Sequence, residues 1–410
     1  MSEFERGPVL RTALARCISV SEQEFAADYW GARPLLSRAA ELGEDFSDLF
    51  SLAAVDELAA NRALRTPFVR MANEGDLLPA SAYTGPSGFG AEVGDQLDSD
   101  KVLAAFAGGA TLVLQGLHRT WAPLREFTRR LVEELGHPAQ VNAYVTPASS
   151  RGFDPHYDVH DVFVIQIYGE KHWVIHPPVL ENPLRDQPWS TVAGEVAERA
   201  KRTPAIDATF APGDVLYLPR GWIHSATALG GTSVHLTIGV AALTRWDVVE
   251  QIVSGLVDET GLRASLPIGF DRASAADVTS MVAATAGAMS AAITSVDAEV
   301  IGDSLNAKLA ASTRPEPVLP ISTVERLAGL SRADTVRWRA GLGAVITRGD
   351  SEVRIALRSK VVTLPVEAAD AVESLESGEA SAATQLRGLD EKSSLVVARR
   401  LLREGVLVLQ

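Results

Sequence analysis

From Gln140 to Ala241 the chain keeps returning to short runs of β-branched and aromatic residues, each cut off by Gly or Pro. The runs read QVNAYVTP, DVFVIQIY, HWVIHPP, ATFAPGDVLYLP and TSVHLTIGVA. They are too short for buried helices, and Val, Ile, Thr, Tyr and Phe suit a pleated surface better than a helix. Several such strands with Gly and Pro turns between them predict a β-sandwich or barrel. Gly169-Glu170, between DVFVIQIY and HWVIHPP, predicts a hairpin.

One of these runs carries the wrong residues for a plain barrel wall. DPHYDVHDVFVIQIYGEKHW, from Asp154 to Trp173, holds three of the chain's eight histidines. In an extended segment residues two apart share a face, so His156 and Asp158 would send an imidazole and a carboxylate into one space. An isolated H-x-D is ordinarily a surface pair. This one opens a strand with apolar alternate positions, and a second histidine, His224, follows the tight turn Pro219-Arg220-Gly221-Trp222 at the end of a later strand. Two histidines and one carboxylate, with positions left open on one face, suit a non-haem Fe(II) centre that takes a co-substrate and O₂.

Lys171 allows two readings. It is either exposed beside the Gly169-Glu170 turn, or it faces into the barrel, where an ammonium is costly unless an anion meets it. A dicarboxylate whose 2-oxo acid end chelates the metal supplies that anion. Tyr144 and Thr237, on neighbouring strands, would then offer hydroxyls to the same carboxylate. His160 and Asp161 are adjacent, so on a strand they point to opposite faces and cannot form a second pair at one site. His172 and His176 are further barrel-region histidines. His235, two residues before Thr237, is expected to support the site rather than to ligate, because the triad is already complete.

Taken together, NAYVTPASSRGFDPHYDVHDVFVIQIYGEKHW, PGDVLYLPRGWIHSA and SVHLTIGV resemble the JmjC-type 2-oxoglutarate oxygenases, and within them the ribosomal-protein hydroxylases (ribosomal oxygenases) of bacteria and eukaryotes. The resemblance covers roughly residues 20–245. It implies an α+β chain: a double-stranded β-helix (cupin or jelly-roll) core, a helical dimerisation segment and a C-terminal winged-helix domain. It also implies that His156, Asp158 and His224 hold Fe(II). Lys171 takes the C5 carboxylate of 2-oxoglutarate, with Tyr144, Thr237 and Asn142 of the N-x-Y element as supporting contacts. Lysine at the basic position resembles the eukaryotic histidine hydroxylases; a bacterial arginine hydroxylase of this group carries arginine. The implied reaction hydroxylates a C–H bond while O₂ and 2-oxoglutarate become succinate and CO₂.

Three other functions are weighed against that one. A non-redox cupin metalloenzyme, such as an isomerase using Zn or Mn, could use similar ligands but has no need of Lys171. A non-catalytic dimeric scaffold has no reason to keep a triad. Histone demethylation is disfavoured because no methyl-lysine reader accompanies the barrel.

The rest of the chain reads as follows. Ser21 and Glu24 form a capping box. Ser51–Leu64, Asp100–Phe106 and TWAPLREFTRRLVEELG are helical, the last closed by Gly136. The expected domains are 1–245 (barrel with an N-terminal extension), 246–311 (helical, dimerising) and 323–410 (winged-helix-like), with the Pro-rich 312–322 as linker. The apolar stretch Met281–Val296 is expected to be a buried or dimer-interface helix rather than a membrane span. No signal peptide is read at the N-terminus. Cys17 is the only cysteine, so neither a disulfide within the chain nor a cysteine-based zinc cluster is possible. With 38 basic against 52 acidic residues the net charge is −14. That field repels nucleic acid and attracts a basic protein. Arg399, Arg400 and Arg403 are therefore assigned to packing rather than DNA. The expected setting is cytoplasmic, with a homodimer and no membrane.

Overall fold

The computed structural model describes residues 11–73, 75–148, 154–293 and 296–410. The chain divides into two compact units, Met1–Ala242 and Leu243–Gln410.

The first unit is built on one nine-stranded sheet. Its strands are β1 (Leu35–Ser37), β2 (Val69–Asn73), β3 (Asp76–Leu77), β4 (Thr111–Leu114), β5 (Ala139–Thr146), β6 (Asp161–His176), β7 (Ile206–Phe210), β8 (Val215–Leu218) and β9 (Ile223–Val240). They are ordered β1-β8-β6-β9-β5-β4-β2-β3, and β7 joins the far half of β6. All pairings are antiparallel. Phe163, Ile165, Tyr217, Leu236 and Ile238 fill one side of the sheet. Val162, Val164, Ile175, Leu216 and Leu218 form a separate cluster. Helices α1 (Leu52–Asn61), α2 (Ser99–Ala107) and α3 (Ala122–Leu135) contribute to the first core through Leu58, Val102, Leu124 and Leu131. Ser51 and Asp98 cap α1 and α2 with side-chain oxygens, and Gly136 ends α3 at φ 69°.

The hairpin expected at Gly169-Glu170 is absent. DVFVIQIYGEKHWVIH is one 16-residue strand, and the two stretches expected as separate strands around His224 and His235 are likewise one strand of 18 residues. These two long strands pair along nearly their whole length, with two register shifts: residues 230–233 of β9 stand opposite Gly169, and Ile167 is the extra residue of β6 between Gln166 and Tyr168. Gly169 sits at φ +63°, and a Cβ there would run into the carbonyl oxygen of Thr232. It lies in a bulged stretch of one strand, not in a turn between two strands.

The extra residue changes which side chains face inward. Before it, Val162 and Val164 line the barrel cavity; after it, Lys171 and Trp173 do. Even positions give way to odd ones because one extra residue inverts a period of two.

In the second unit, α4 (Arg245–Gly255) opens with a capping box from Thr244 and Asp247. The Ala-rich α5 (Ala275–Ile293) and α6 (Ala298–Ser312) follow. Residues 294–295, at the end of the apolar stretch Met281–Val296, lie outside the described set. By length and composition alone α5 could cross a bilayer. None of its residues is buried within the chain, which removes the buried alternative and leaves the dimer-interface one. Beyond it come α7 (Pro320–Ala328), strands β10 (Thr335–Trp338), β11 (Val345–Arg348), β12 (Glu352–Ala356) and β13 (Val361–Pro365), helices α8 (Ala369–Glu376) and α9 (Glu391–Arg403), and β14 (Leu407–Leu409). Val353, Ile355, Val372, Leu401 and Leu402 share one core there. Arg399 donates to the carbonyl of Leu327, and the half-exposed Arg400 pairs with Glu404 on the same helix end.

Candidate active site

The segment that carries His156 and Asp158 precedes β6, which starts at Asp161. It is held in place by the turn at 219–224 rather than by its own strand. His156 N–H donates to the His224 carbonyl at 3.2 Å, His224 N–H to the His156 carbonyl at 2.8 Å, and Gly221 N–H to the Asp158 carbonyl at 3.0 Å. Buried Asp161 locks the same turn by accepting from Arg220 N–H and facing its guanidinium. This explains Asp161 without a second metal pair. His160 packs against Gly239, where a Cβ would collide with the imidazole.

These backbone links bring the three expected ligands together. The rings of His156 and His224 lie 4.4 Å apart between centroids, and His224 Nε2 is 3.8 Å from Asp158 Oδ2. Among the described residues no three His, Cys, Asp or Glu side chains stand as a closed metal cage; what is present is this pairwise convergence. Both imidazoles are oriented in the same way. Nδ1 of His156 is 2.7 Å from the Asp154 carbonyl, and Nδ1 of His224 is 3.2 Å from the Trp222 carbonyl. A carbonyl only accepts, so each Nδ1 carries a proton and each Nε2 is turned away from these backbone partners. That is the arrangement by which metal-binding histidines are oriented. Burial, and then the neighbouring His156, hold the His224 imidazole well below its ordinary value, so its Nε2 stays a neutral donor at physiological pH.

A cavity of about 310 Å³ opens beside this cluster. It lies at the small end of the range for small-molecule sites, roughly 300–1,000 Å³. His156, Asp158 and His224 line it together with Lys171, Tyr144 and Thr237. Lys171 is buried, at 4% exposure, which decides between the two readings its sequence context allowed. Its Nζ donates to Thr146 Oγ1 at 3.3 Å and lies 5.9 Å from the centroid of the Trp173 ring. Among the described residues no carboxylate pairs with it. Burial pulls its pKa down to about 7. Tyr144 is pushed up to about 12, by burial first and by Asp158 second, so its phenol remains a proton donor. Asn142 is used differently from expectation: its Oδ1 accepts from Gly116 N–H and it is not among the residues lining the cavity.

Some cavity residues went unread in the sequence. Thr146 shares a face with Tyr144 two positions earlier, so the alternation of NAYVT could have pointed to it. Trp189, 6.3 Å from His156 between ring centroids, sits in the connection between β6 and β7, where no periodicity marks it.

Comparison with known proteins agrees with the geometry. Residues 119–248 match the family model described as the JmjC domain. The strands β5 to β9 lie within this matched region, which is similar to JmjC domains. Over 254 residues the chain is 30% identical to ribosomal oxygenase 1 of Gallus gallus, covering 60% of this chain and 40% of that protein. A 134-residue match to ribosomal oxygenase 2 of Bos taurus is 40% identical and covers 31% of this chain and 28% of that one. The bifunctional lysine-specific demethylase and histidyl-hydroxylase NO66 of Drosophila persimilis is 28% identical over 257 residues, 60% of this chain and 34% of that protein. The chain thus spans between about a quarter and two fifths of these relatives. Among solved structures, the ribosomal oxygenase YcfD of Escherichia coli, in complex with cobalt and 2-oxoglutarate, shares the fold. The TM-score is 0.53 at 17% identity, over 96% of this chain and 99% of that one. The region similar to JmjC domains thus holds a cavity lined by a buried lysine, two histidines and an aspartate.

Proposed function

We propose that this chain is an Fe(II)- and 2-oxoglutarate-dependent hydroxylase that uses O₂ to hydroxylate a side chain of a basic, ribosomal protein. The observation that carries the reading is the buried Lys171 ammonium, unpaired with any carboxylate among the described residues, in the same cavity as His156, Asp158 and His224. An isolated buried cation is unfavourable, and a dicarboxylate resolves it.

The residues fit the metal that the family implies. Nε2 of His156, Nε2 of His224 and the Asp158 carboxylate are the donor set of a facial two-histidine, one-carboxylate centre. Iron bound there supplies the redox chemistry that couples 2-oxoglutarate and O₂ to C–H hydroxylation. The chain's own groups position the reactants. Lys171 and Thr146 receive the C5 carboxylate, and Tyr144 and Thr237 add hydroxyl donors. The apolar walls from Val162, Val164 and Leu218 keep water away.

Several features support the substrate class. The names of the relatives include ribosomal oxygenases and a histidyl-hydroxylase, and a net charge of −14 favours a basic partner. The proposed layout is a catalytic domain at 1–245, dimerising helices at 246–311 and a winged-helix-like domain at 323–410, in a cytoplasmic homodimer. The exposed apolar residues Trp246, Val249, Val253, Val278 and Val282 on α4 and α5 suit a second copy.

The test is to incubate the protein with Fe(II), 2-oxoglutarate and ascorbate, and to compare ribosomal proteins from cells with and without it for a mass gain of one oxygen. Succinate formation stimulated by the modified protein is expected. Failure to bind or turn over 2-oxoglutarate refutes the reading, and a monomeric mass in solution scattering refutes the dimer.

A further inference from the structure

His235 is almost wholly enclosed, at 4% exposure, yet it lines the cavity. It stands directly across from Tyr144 in the β9–β5 ladder, and the two rings stack 5.1 Å apart with planes 5° from parallel. Trp173 meets it edge-on at 5.4 Å and 86°. Clamped on a face and an edge, the imidazole cannot rotate without losing both contacts.

Its two nitrogens are not equivalent. Nδ1 is sealed from solvent and has no hydrogen-bond partner among the described residues. The ring edge that meets the cavity is therefore the one carrying Nε2. A sealed N–H without an acceptor costs about 1–3 kcal/mol, whereas an unfilled lone pair is tolerated more often. The proton accordingly belongs on Nε2. Burial, and then the Lys171 ammonium and His224, keep the ring neutral.

We infer that His235 is a co-substrate-binding residue whose fixed Nε2–H donates to an oxygen of the dicarboxylate held by Lys171. The inference rests on the reading that this cavity takes 2-oxoglutarate. It also accounts for the residue type. Lys171, Thr146, Tyr144 and Thr237 already offer one cation and three hydroxyls to an acceptor-rich ligand. A second cation would repel a metal at His224, while a neutral imidazole adds a directed donor without charge.

The experiment is titration of 2-oxoglutarate into the full chain loaded with Co(II), without O₂, so that no turnover intervenes. His235→Phe keeps a ring between Tyr144 and Trp173 but removes the donor. Its affinity for 2-oxoglutarate is expected to fall about 10- to 100-fold, the range for a hydrogen bond to a charged group, while Co(II) affinity stays as in the parent chain. His235→Gln, which returns an N–H near the same place, is expected to bind more tightly than the Phe variant. Should the parent chain fail to bind 2-oxoglutarate, the reading of the cavity falls. Should the parent bind and the Phe variant bind equally well, or lose Co(II) instead, the role of His235 falls. If the Phe variant does not fold, nitrogen NMR of the parent decides: an Nε2–H tautomer that shifts on adding 2-oxoglutarate is expected, and an Nδ1–H tautomer overturns the inference.

Discussion

Replacing Lys171 by Met should make the ligand-free protein more stable and at the same time unable to hold a dicarboxylate. Lys171 is 4% exposed and pairs with no carboxylate among the described residues. Burial lowers its pKa from 10.5 to about 7. At about 1.4 kcal/mol per pH unit, that fall means the charged form costs about 5 kcal/mol in the folded state. Methionine fills a similar volume without the charge, and recovering part of that cost should raise stability by about 1–4 kcal/mol near neutral pH. The pH dependence carries the sign. A lysine whose folded pKa lies below its unfolded one bears its full penalty below pH 7, where both states are protonated. Between about pH 7 and 10 the unfolded chain binds more protons, so wild-type stability rises with pH. Urea unfolding of both proteins at pH 6 and pH 9 should therefore show the advantage of Lys171→Met shrinking by about 2–3 kcal/mol across that interval. Calorimetric titration should show 2-oxoglutarate binding weakened at least about 30-fold, the loss expected when one partner of a buried charge pair is removed. A variant that is less stable at pH 6, a stability gap that does not change with pH, or undiminished binding would each refute the reasoning.

Other consequences can be measured directly. His156→Ala and His224→Ala should each weaken Co(II) binding by more than about 100-fold, read by the metal's visible absorption, because losing a direct ligand exceeds the effect of losing its support. Gly169→Ala should lower stability by about 3–5 kcal/mol in thermal unfolding, since the new Cβ meets the Thr232 carbonyl at a positive φ. Asp161→Ala should cost about 1–3 kcal/mol by leaving the Arg220 N–H and the part-buried Arg220 guanidinium unmatched, and should loosen the turn that seats His224, so metal affinity falls with stability.

The barrel strands were legible because alternation and Gly/Pro punctuation are local signals. QVNAYVTP and DVLYLP became strands close to where their patterns placed them. The helix end at Gly136 followed from capping chemistry in the same way. Where the reading failed, a local signal stood for something else. Gly169 looked like the tip of a hairpin, since a glycine with positive φ serves a turn and a bulge equally well. The oxygen of Asn142, a contact that the family resemblance implies, accepts from Gly116 N–H, a partner that no local pattern names.

By itself, the order of residues determined the chemistry available to this protein: two histidines and an aspartate spaced to meet, a lysine on the same run, and strands able to surround them. Only the folded sheet decided that His156 lies against His224, because their backbone bonds join segments nearly seventy residues apart and no local pattern encodes that pairing. It also decided that Lys171 faces the cavity. The register shift that leaves Ile167 unmatched between Gln166 and Tyr168 inverts the alternation of β6 and turns the Lys171 ammonium into the cavity that His156, Asp158 and His224 also line.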